Sequence, residues 1–331
     1  NGCTPTDLVF PFFVFILGVS LVFSLSRRRE TGHGARELAA QLVRRTAILF
    51  GLGLLLNGFP YNHLELLRIP GVLQRIALCY FAAGLLSLRL GSRSLLLVVG
   101  GILVGYFLAM TQISVPGFGP GVLTPQGNLE GYVDRLIFRH MYFPDFDPEG
   151  LLSTFPAVAT TLLGVLAGRV LYRAERGDPA ERWKAARLLA ILGVVGMASG
   201  LFWNRWFPIN KSIWTSSYVL FTGGAAFLLL GFFYWLIDLR GVRRGFFALE
   251  VFGLNGVFAY VVPLFLLKTL NRIPAANADG TAGNLRLLIT RTAFGFWRSA
   301  ENASLSFAIA HVIFWFGVCY VFYRKKIFIK V

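Results

Sequence analysis

Residues 151–203 read LLSTFPAVATTLLGVLAGRVLYRAERGDPAERWKAARLLAILGVVGMASGLFW: two apolar runs, near 151–172 and 186–203, joined by a short segment carrying Arg169, Arg173, Arg176, Arg182, Lys184 and Arg187. A run of about 20 mostly apolar residues is long enough to cross a hydrocarbon layer as a helix. The same unit recurs along the chain, with further runs near 7–26, 43–59, 71–90, 94–113, 215–237, 247–269 and 304–323. Hydrocarbon offers no partner for backbone polar groups, so each run predicts an α-helix, and together they predict an all-α polytopic transmembrane bundle of about nine spans. Composition agrees: of 331 residues 56% are hydrophobic and only 15% charged, with a mean hydropathy of +0.64. That excludes a water-soluble globule with a polar surface.

Basic residues give the orientation. The segments 27–45, 89–93, 169–187, 240–244 and 324–330 hold 21 of the 32 Lys and Arg. Basic residues near helix ends stay cytoplasmic, so these segments and the tail YRKKIFIKV are expected inside, and the chain is expected to begin outside. The expected location is a membrane, multi-pass, with a cytoplasmic C-terminus. The formal net charge of +16 is thereby a matter of topology and anionic lipid, and no nucleic-acid partner is expected. The Asn-Gly-Cys-Thr opening has no initiator Met and no signal-peptide pattern, which reads as a chain missing its first helix; the intact protein would then have about ten spans. One domain over 1–331 is expected, with long outer-face loops at 114–150 and 270–303. Within the second loop, LRLLITRTAFGFWRSA (285–300) reads as an interfacial helix or a re-entrant piece.

Cysteines 3, 79 and 319 show no CxxC, and histidines 33, 63, 140 and 311 show no HxxxH or HExxH, so no metal site is expected. Polar chemistry gathers at four places on the expected outer side. Asp7 opens the first span, where it fits either a helix cap or a functional carboxylate at membrane depth. Arg68 and Arg75 are seven apart in RIPGVLQR and would share a face of a continuous helix. Arg68 fits a snorkelling side chain, and Arg75, deeper, requires a carboxylate or anionic ligand. Asp147 and Glu149 precede the span at 151 and fit either solvated caps or groups binding an amine or sugar hydroxyl. Asn210, Lys211, Trp214, Ser217 and Tyr218 lie together in PINKSIWTSSYVL, offering aromatic faces, amide and hydroxyls suited to a sugar ring. Apart from these four, Asn255, alone in FGLNGVFAYV, fits a helix-to-helix hydrogen bond or a site role.

In order, NGCTPTDLVFPFFVF (1–15), RIPGVLQRIALCYF (68–81), GYVDRLIF (131–138), FDPEGLLST (146–154), PINKSIWTSSYVL (208–220) and YRKKIF (323–328) resemble the transmembrane heparan-α-glucosaminide N-acetyltransferases and their bacterial relatives. The resemblance covers nearly the whole chain. It implies transfer of an acetyl group from cytoplasmic acetyl-CoA, as co-substrate, to the amine of a glucosamine-type sugar on the extracytoplasmic side. It also implies a catalytic histidine just ahead of Asn1, with Asp7 orienting it, so the chain as given is expected to be catalytically incomplete. Carried onto matching positions, the substrate-binding set is Asn1, Arg68, Arg75, Asp147, Glu149, Asn210, Lys211, Trp214, Ser217, Tyr218 and Asn255. The stretch AYVVPLFLLK (259–268) carries Pro263 and no histidine, unlike the animal enzymes, which leaves the acceptor open. Expected partners are an amino-sugar acceptor, membrane lipid and a second copy of the chain. A rival from another class is a transporter of amino sugars or oligosaccharides that uses the same outer cluster; the absence of a visible repeat speaks against it.

Overall fold

A computed structural model describes residues 2–61, 64–276, 282–297 and 299–329. Among the described residues the protein is all-α apart from one small hairpin, with eight uninterrupted helices long and apolar enough to cross a membrane and a ninth that is bent. In chain order the first seven of the eight are α1 (Val9–Glu30, entered through a 3-10 turn at Pro5–Leu8), α2 (Ala35–Gly58), α3 (Val72–Arg89), α4 (Ser92–Gln112), α6 (Leu151–Ala174), α7 (Pro179–Trp203) and α8 (Ser216–Phe233). A short α5 (Leu129–Ile137) interrupts the first long connection. The chain divides into two compact units, Asn1–Val242 and Arg243–Val331.

In the first unit α6 is the central helix. It packs against α1, α3, α4, α5, α7 and α8, and 72% of its apolar window is buried, the largest share of any span. Between helices in lipid there is little hydrophobic driving force, so close backbone approach and dispersion hold the bundle together. The sequence supplies small residues where that approach is needed. A Cβ on Gly164 would lie 1.9 Å from the Phe15 carbonyl oxygen of α1, and one on Gly18 would lie 2.0 Å from that of Thr161. The α7–α8 seam works the same way, Gly224 seating against the backbone of Gly193, Gly196 and Met197.

Several helix ends lie beyond the expected limits. α2 and α7 start inside the basic connections, α7 because Asp178 accepts from the Glu181 amide (2.9 Å) with Pro179 in the first turn. The expectation that Arg68 and Arg75 share a helical face is corrected: α3 begins at Val72, and residues 68–71 carry no regular secondary structure. Pro70 disfavours the helical region for Ile69, and Asn57 donates to the carbonyls of Arg68 (3.0 Å) and Pro70 (2.8 Å), holding the stretch in place. The reading of 114–150 as a plain loop is also corrected. Asn128 caps α5 through the Gly131 amide (2.7 Å), and Leu129 packs with Tyr106, Met110, Val115, Phe207 and Ile213 in one apolar cluster.

In the second unit, the span expected at 247–269 is broken. α9 (Phe247–Leu254) and α10 (Gly256–Arg272) meet at Asn255 with an 80° bend. The Asn255 side chain, 1% exposed, donates to the Ile327 carbonyl (3.2 Å) and accepts from the Ile329 amide (2.8 Å). Its amide thus satisfies the C-terminal tail instead of a neighbouring helix. The strands β1 (Pro274–Ala276) and β2 (Ala282–Asn284) pair antiparallel ahead of α11 (Leu285–Phe294), a short helix with no buried residue. α12 (Ala300–Arg324) ends the unit.

Candidate active site

The first unit brings the polar residues at the starts of α1, α3, α6 and α8 together, in two layers. The accessible layer is built on Asp7. Its carboxylate takes the Thr4 amide (2.9 Å) and hydroxyl (2.7 Å) and faces the Lys211 ammonium at 3.1 Å. One Asp7 oxygen thus stabilises the turn entering α1, as a cap does, and the other pairs with Lys211. The Tyr218 hydroxyl donates to the Asp7 carbonyl (2.6 Å), and the Gly2 amide donates to the Ile209 carbonyl (2.8 Å), tying the first residues to the 208–218 turn. Lys211 and Asp7 side chains remain 41% and 26% exposed, within reach of solutes. Cys3 lies beside them, but burial, reinforced by the Asp7 charge, pushes its thiol up, which disfavours the nucleophilic thiolate.

The buried layer centres on Trp214 and Arg75. Trp214, 1% exposed, has φ +46°, a left-handed backbone that a bulky residue rarely adopts. It is held there from all sides: edge-on contacts with Phe10 and Tyr218, an indole donation to Thr160 Oγ1 (3.2 Å), and the Arg75 guanidinium 5.2 Å above its ring. Strain of this kind, of order 1–3 kcal/mol, persists where surrounding structure over-determines it and clusters at functional sites. Arg75, 1% exposed, uses Nη2 on the Gly150 carbonyl (3.2 Å) and the Ser153 hydroxyl, while its Nε and Nη1 make no hydrogen bond.

Two carboxylates that the sequence reading passed over belong to this layer, both on α5 and both fully buried: Glu130 and Asp134. Neither Glu130 oxygen has a hydrogen-bond partner, and burial pushes its carboxyl well above the usual range against the pull of Arg75. Burial also raises Asp134, to about 6, although it accepts from the amides of Leu151 (3.0 Å) and Asp147 (3.3 Å). The available signal was the i, i+4 spacing of Glu130 and Asp134 behind a capping Asn128, a short helix turning two acids to one side.

Other expected residues are engaged with one another. Arg68 binds Asp147 with Nε (2.7 Å) and Nη2 (2.5 Å) and also pairs with Glu149. Asp147, fully buried, additionally accepts from the amides of Tyr142 and Glu149 (both 3.0 Å). The triad fastens the long connection to the non-helical stretch before α3, and truncating one partner of such a buried set leaves a charge uncompensated. The hydroxyls after Lys211 also serve the backbone: Ser216 donates to the Leu103 carbonyl (2.7 Å), Ser217 to that of Phe207 (2.5 Å), and Thr215 to that of Pro208 (2.9 Å). Asn210 accepts from the Ser212 amide (2.8 Å). Asn255 lies in the second unit, and Asn1 and His63 lie outside the described residues. Among the described residues no group of three His, Cys, Asp or Glu could hold a metal ion.

The family described as heparan-alpha-glucosaminide N-acetyltransferase, catalytic, matches residues 4–208, a stretch that contains Asp7, Arg68, Arg75, Glu130, Asp134, Asp147 and Glu149. The chain is 29% identical over 394 aligned residues to the heparan-alpha-glucosaminide N-acetyltransferase of Homo sapiens and 28% identical over 389 to that of Mus musculus. Each alignment covers all of this chain and 55% of the relative, so the chain spans about half the length of the curated proteins it matches.

Proposed function

The chain belongs to the heparan-alpha-glucosaminide N-acetyltransferase family, and from that premise we propose that it is a multi-pass membrane acetyltransferase that moves an acetyl group from cytoplasmic acetyl-CoA to the amine of a glucosamine-type sugar on the extracytoplasmic side. The observation that carries this reading is the convergence of Asp7, Lys211, Tyr218, Trp214 and Arg75 at one end of the bundle, an accessible ion pair linked through Tyr218 and Trp214 to a buried guanidinium with two unmade donors. Thioester aminolysis forms a C–N bond and breaks a C–S bond. A proton leaves the amine, a thiolate departs, and negative charge develops on the acetyl oxygen between those events. A buried guanidinium suits that charge, because in a water-poor site a fixed donor is worth far more than in water. Arg75 is assigned this role. Burial pushes the Glu130 carboxyl up, and its oxygens make no hydrogen bond to Arg75, whose Nε and Nη1 donors stay unmade and can meet a charge that forms during reaction.

Asp7 and Lys211 are assigned to the sugar: a carboxylate to hold the amine or a ring hydroxyl, and an ammonium to hold a second hydroxyl. Arg68, Asp147 and Glu149 position the roof of this region through the triad. The histidine implied by the family resemblance would act ahead of Asn1, where the Gly2–Ile209 bond fixes the backbone beside Asp7; a neutral imidazole attacks a thioester near neutral pH, and an adjacent carboxylate sets its tautomer. The test is transfer of labelled acetyl from acetyl-CoA to glucosamine or its oligomers by the full gene product in reconstituted vesicles. Product formation with acetyl-CoA and sugar on opposite sides supports the reading. Sugar uptake with no acetylated product and no CoA dependence replaces it with a transporter.

A further inference from the structure

The opposite end of the first unit carries a polar assembly that acetyl transfer at Asp7 leaves unused. α1 has 22 residues and so rises about 33 Å from the Asp7 end to its last turn. There the C-terminal ends of α1, α3 and α6 and the start of α4 surround a cavity of about 440 Å³ lined by Arg29, Arg89, Arg169 and Arg173 together with Ser87 and Ser92. No Asp or Glu lines it, and among the described residues none of these four arginines pairs with a carboxylate. The neighbouring acid is engaged elsewhere: Glu30 pairs with Arg176 and accepts the Tyr172 hydroxyl (2.7 Å).

Helix ends explain part of this cluster. Arg29 donates to the Leu88 carbonyl (2.9 Å), and Arg169 donates to those of Ser87 (3.0 Å) and Leu90 (2.8 Å), so both answer the last carbonyls of α3. They do not explain Arg89 and Arg173, whose side chains make no hydrogen bond among the described residues. Four like charges around one cavity repel one another, and an anion placed among them removes that penalty. Arg169 also reaches Ser92 Oγ (3.3 Å), which locks its guanidinium to the first turn of the 21-residue α4. The free amides and dipole of that turn add to the pull on an anion. Arginine forks match phosphate oxygens in geometry as well as charge.

We infer that this cavity is a phosphate-ester site, taking either the nucleotide end of a CoA-type co-substrate or the headgroup of an anionic phospholipid. The nucleotide source rests on the acetyl-CoA reading; the lipid source does not. The probe pair is adenosine 3′,5′-bisphosphate, added to the full gene product in neutral detergent, and nanodiscs of phosphatidylglycerol against phosphatidylcholine. The variant is Arg89→Gln/Arg173→Gln, in which both side chains are exposed and unbonded, so the fold is expected to persist; Arg205→Gln is the control. Thermal stabilisation by the bisphosphate that weakens on the order of tenfold in apparent affinity in the double variant, with KM for acetyl-CoA rising and kcat held, establishes the nucleotide source. Stabilisation by phosphatidylglycerol alone, lost in the double variant, establishes the lipid source. Equal responses of wild type, double variant and control to both probes overturn the site, whatever the transfer assay shows. A wild type that binds either probe but transfers no acetyl group sinks the acetyltransferase reading and leaves the phosphate site standing.

Discussion

Lys211 is the residue on which the accessible layer turns. Its ammonium lies 3.1 Å from Asp7 and stays 41% exposed, so the pair adds little stability and its value lies in what it can hold. Lys211→Met is expected to leave thermal stability nearly unchanged while lowering acetyl transfer to a sugar by roughly 10- to 100-fold; a variant with wild-type kcat/KM would remove Lys211 from the site. Asp134 makes the opposite kind of prediction. Its folded value of about 6 lies above the ordinary 3.8, so the protonated form is the one the fold favours. The associated stability is complete below about pH 4 and is lost as pH rises through 6, a change of about 3 kcal/mol. Asp134→Asn cannot ionise and is expected to flatten the melting temperature between pH 4 and 7 relative to wild type. Of the individual side chains, Asp7, Arg75 and Lys211 were legible in the sequence because a charge bordering an apolar run is conspicuous. Glu130 and Asp134 were not, since in a connection an acid is ordinarily solvated and only burial by α4 and α6 makes it unusual.

Single helices show where pattern reading succeeds and where it stops. Runs of apolar residues located the uninterrupted spans to within a few residues at most ends, because lipid imposes a minimum length that any sequence must meet. Contacts between helices leave weaker traces. Gly164 and Gly18 lie among many glycines in apolar runs, and only the packed pair shows why no Cβ is tolerated. Gly164→Val is expected to cost about 2 kcal/mol or more, read as a lower melting temperature, because Cβ would collide with backbone that cannot move aside. The break at Asn255 was hidden for a related reason. A single Asn in an apolar run is compatible with a straight helix, and the bend depends on residues 327 and 329, far away in sequence, supplying its hydrogen-bond partners. Asn255→Ala is expected to cost about 1–3 kcal/mol and to raise amide exchange at 327–329; unchanged exchange there would show that the tail is held by other contacts.

For the whole molecule, the proposed arrangement makes the Asp7 end extracytoplasmic and the Arg29 end cytoplasmic. In a Cys3→Ser background, Pro144→Cys and Ser212→Cys are expected to react with a membrane-impermeant maleimide from the same side, and Lys325→Cys from the opposite side. Labelling of 144 and 212 from different sides would dismantle the active-site proposal, and labelling of 325 from the same side as them would overturn the expected placement of the tail. Membrane residence and helical class followed from the sequence alone, because transfer of apolar side chains and satisfaction of backbone polar groups are decided within each segment, without reference to its neighbours. The catalytic candidates could be named but not ranked at that level. Which arginine is spent on a carboxylate, as Arg68 is, and which retains unmade donors, as Arg75 does, depends on what the fold brings opposite each one. Pairing and desolvation are properties of contacts distant in sequence, and only the tertiary structure decides them.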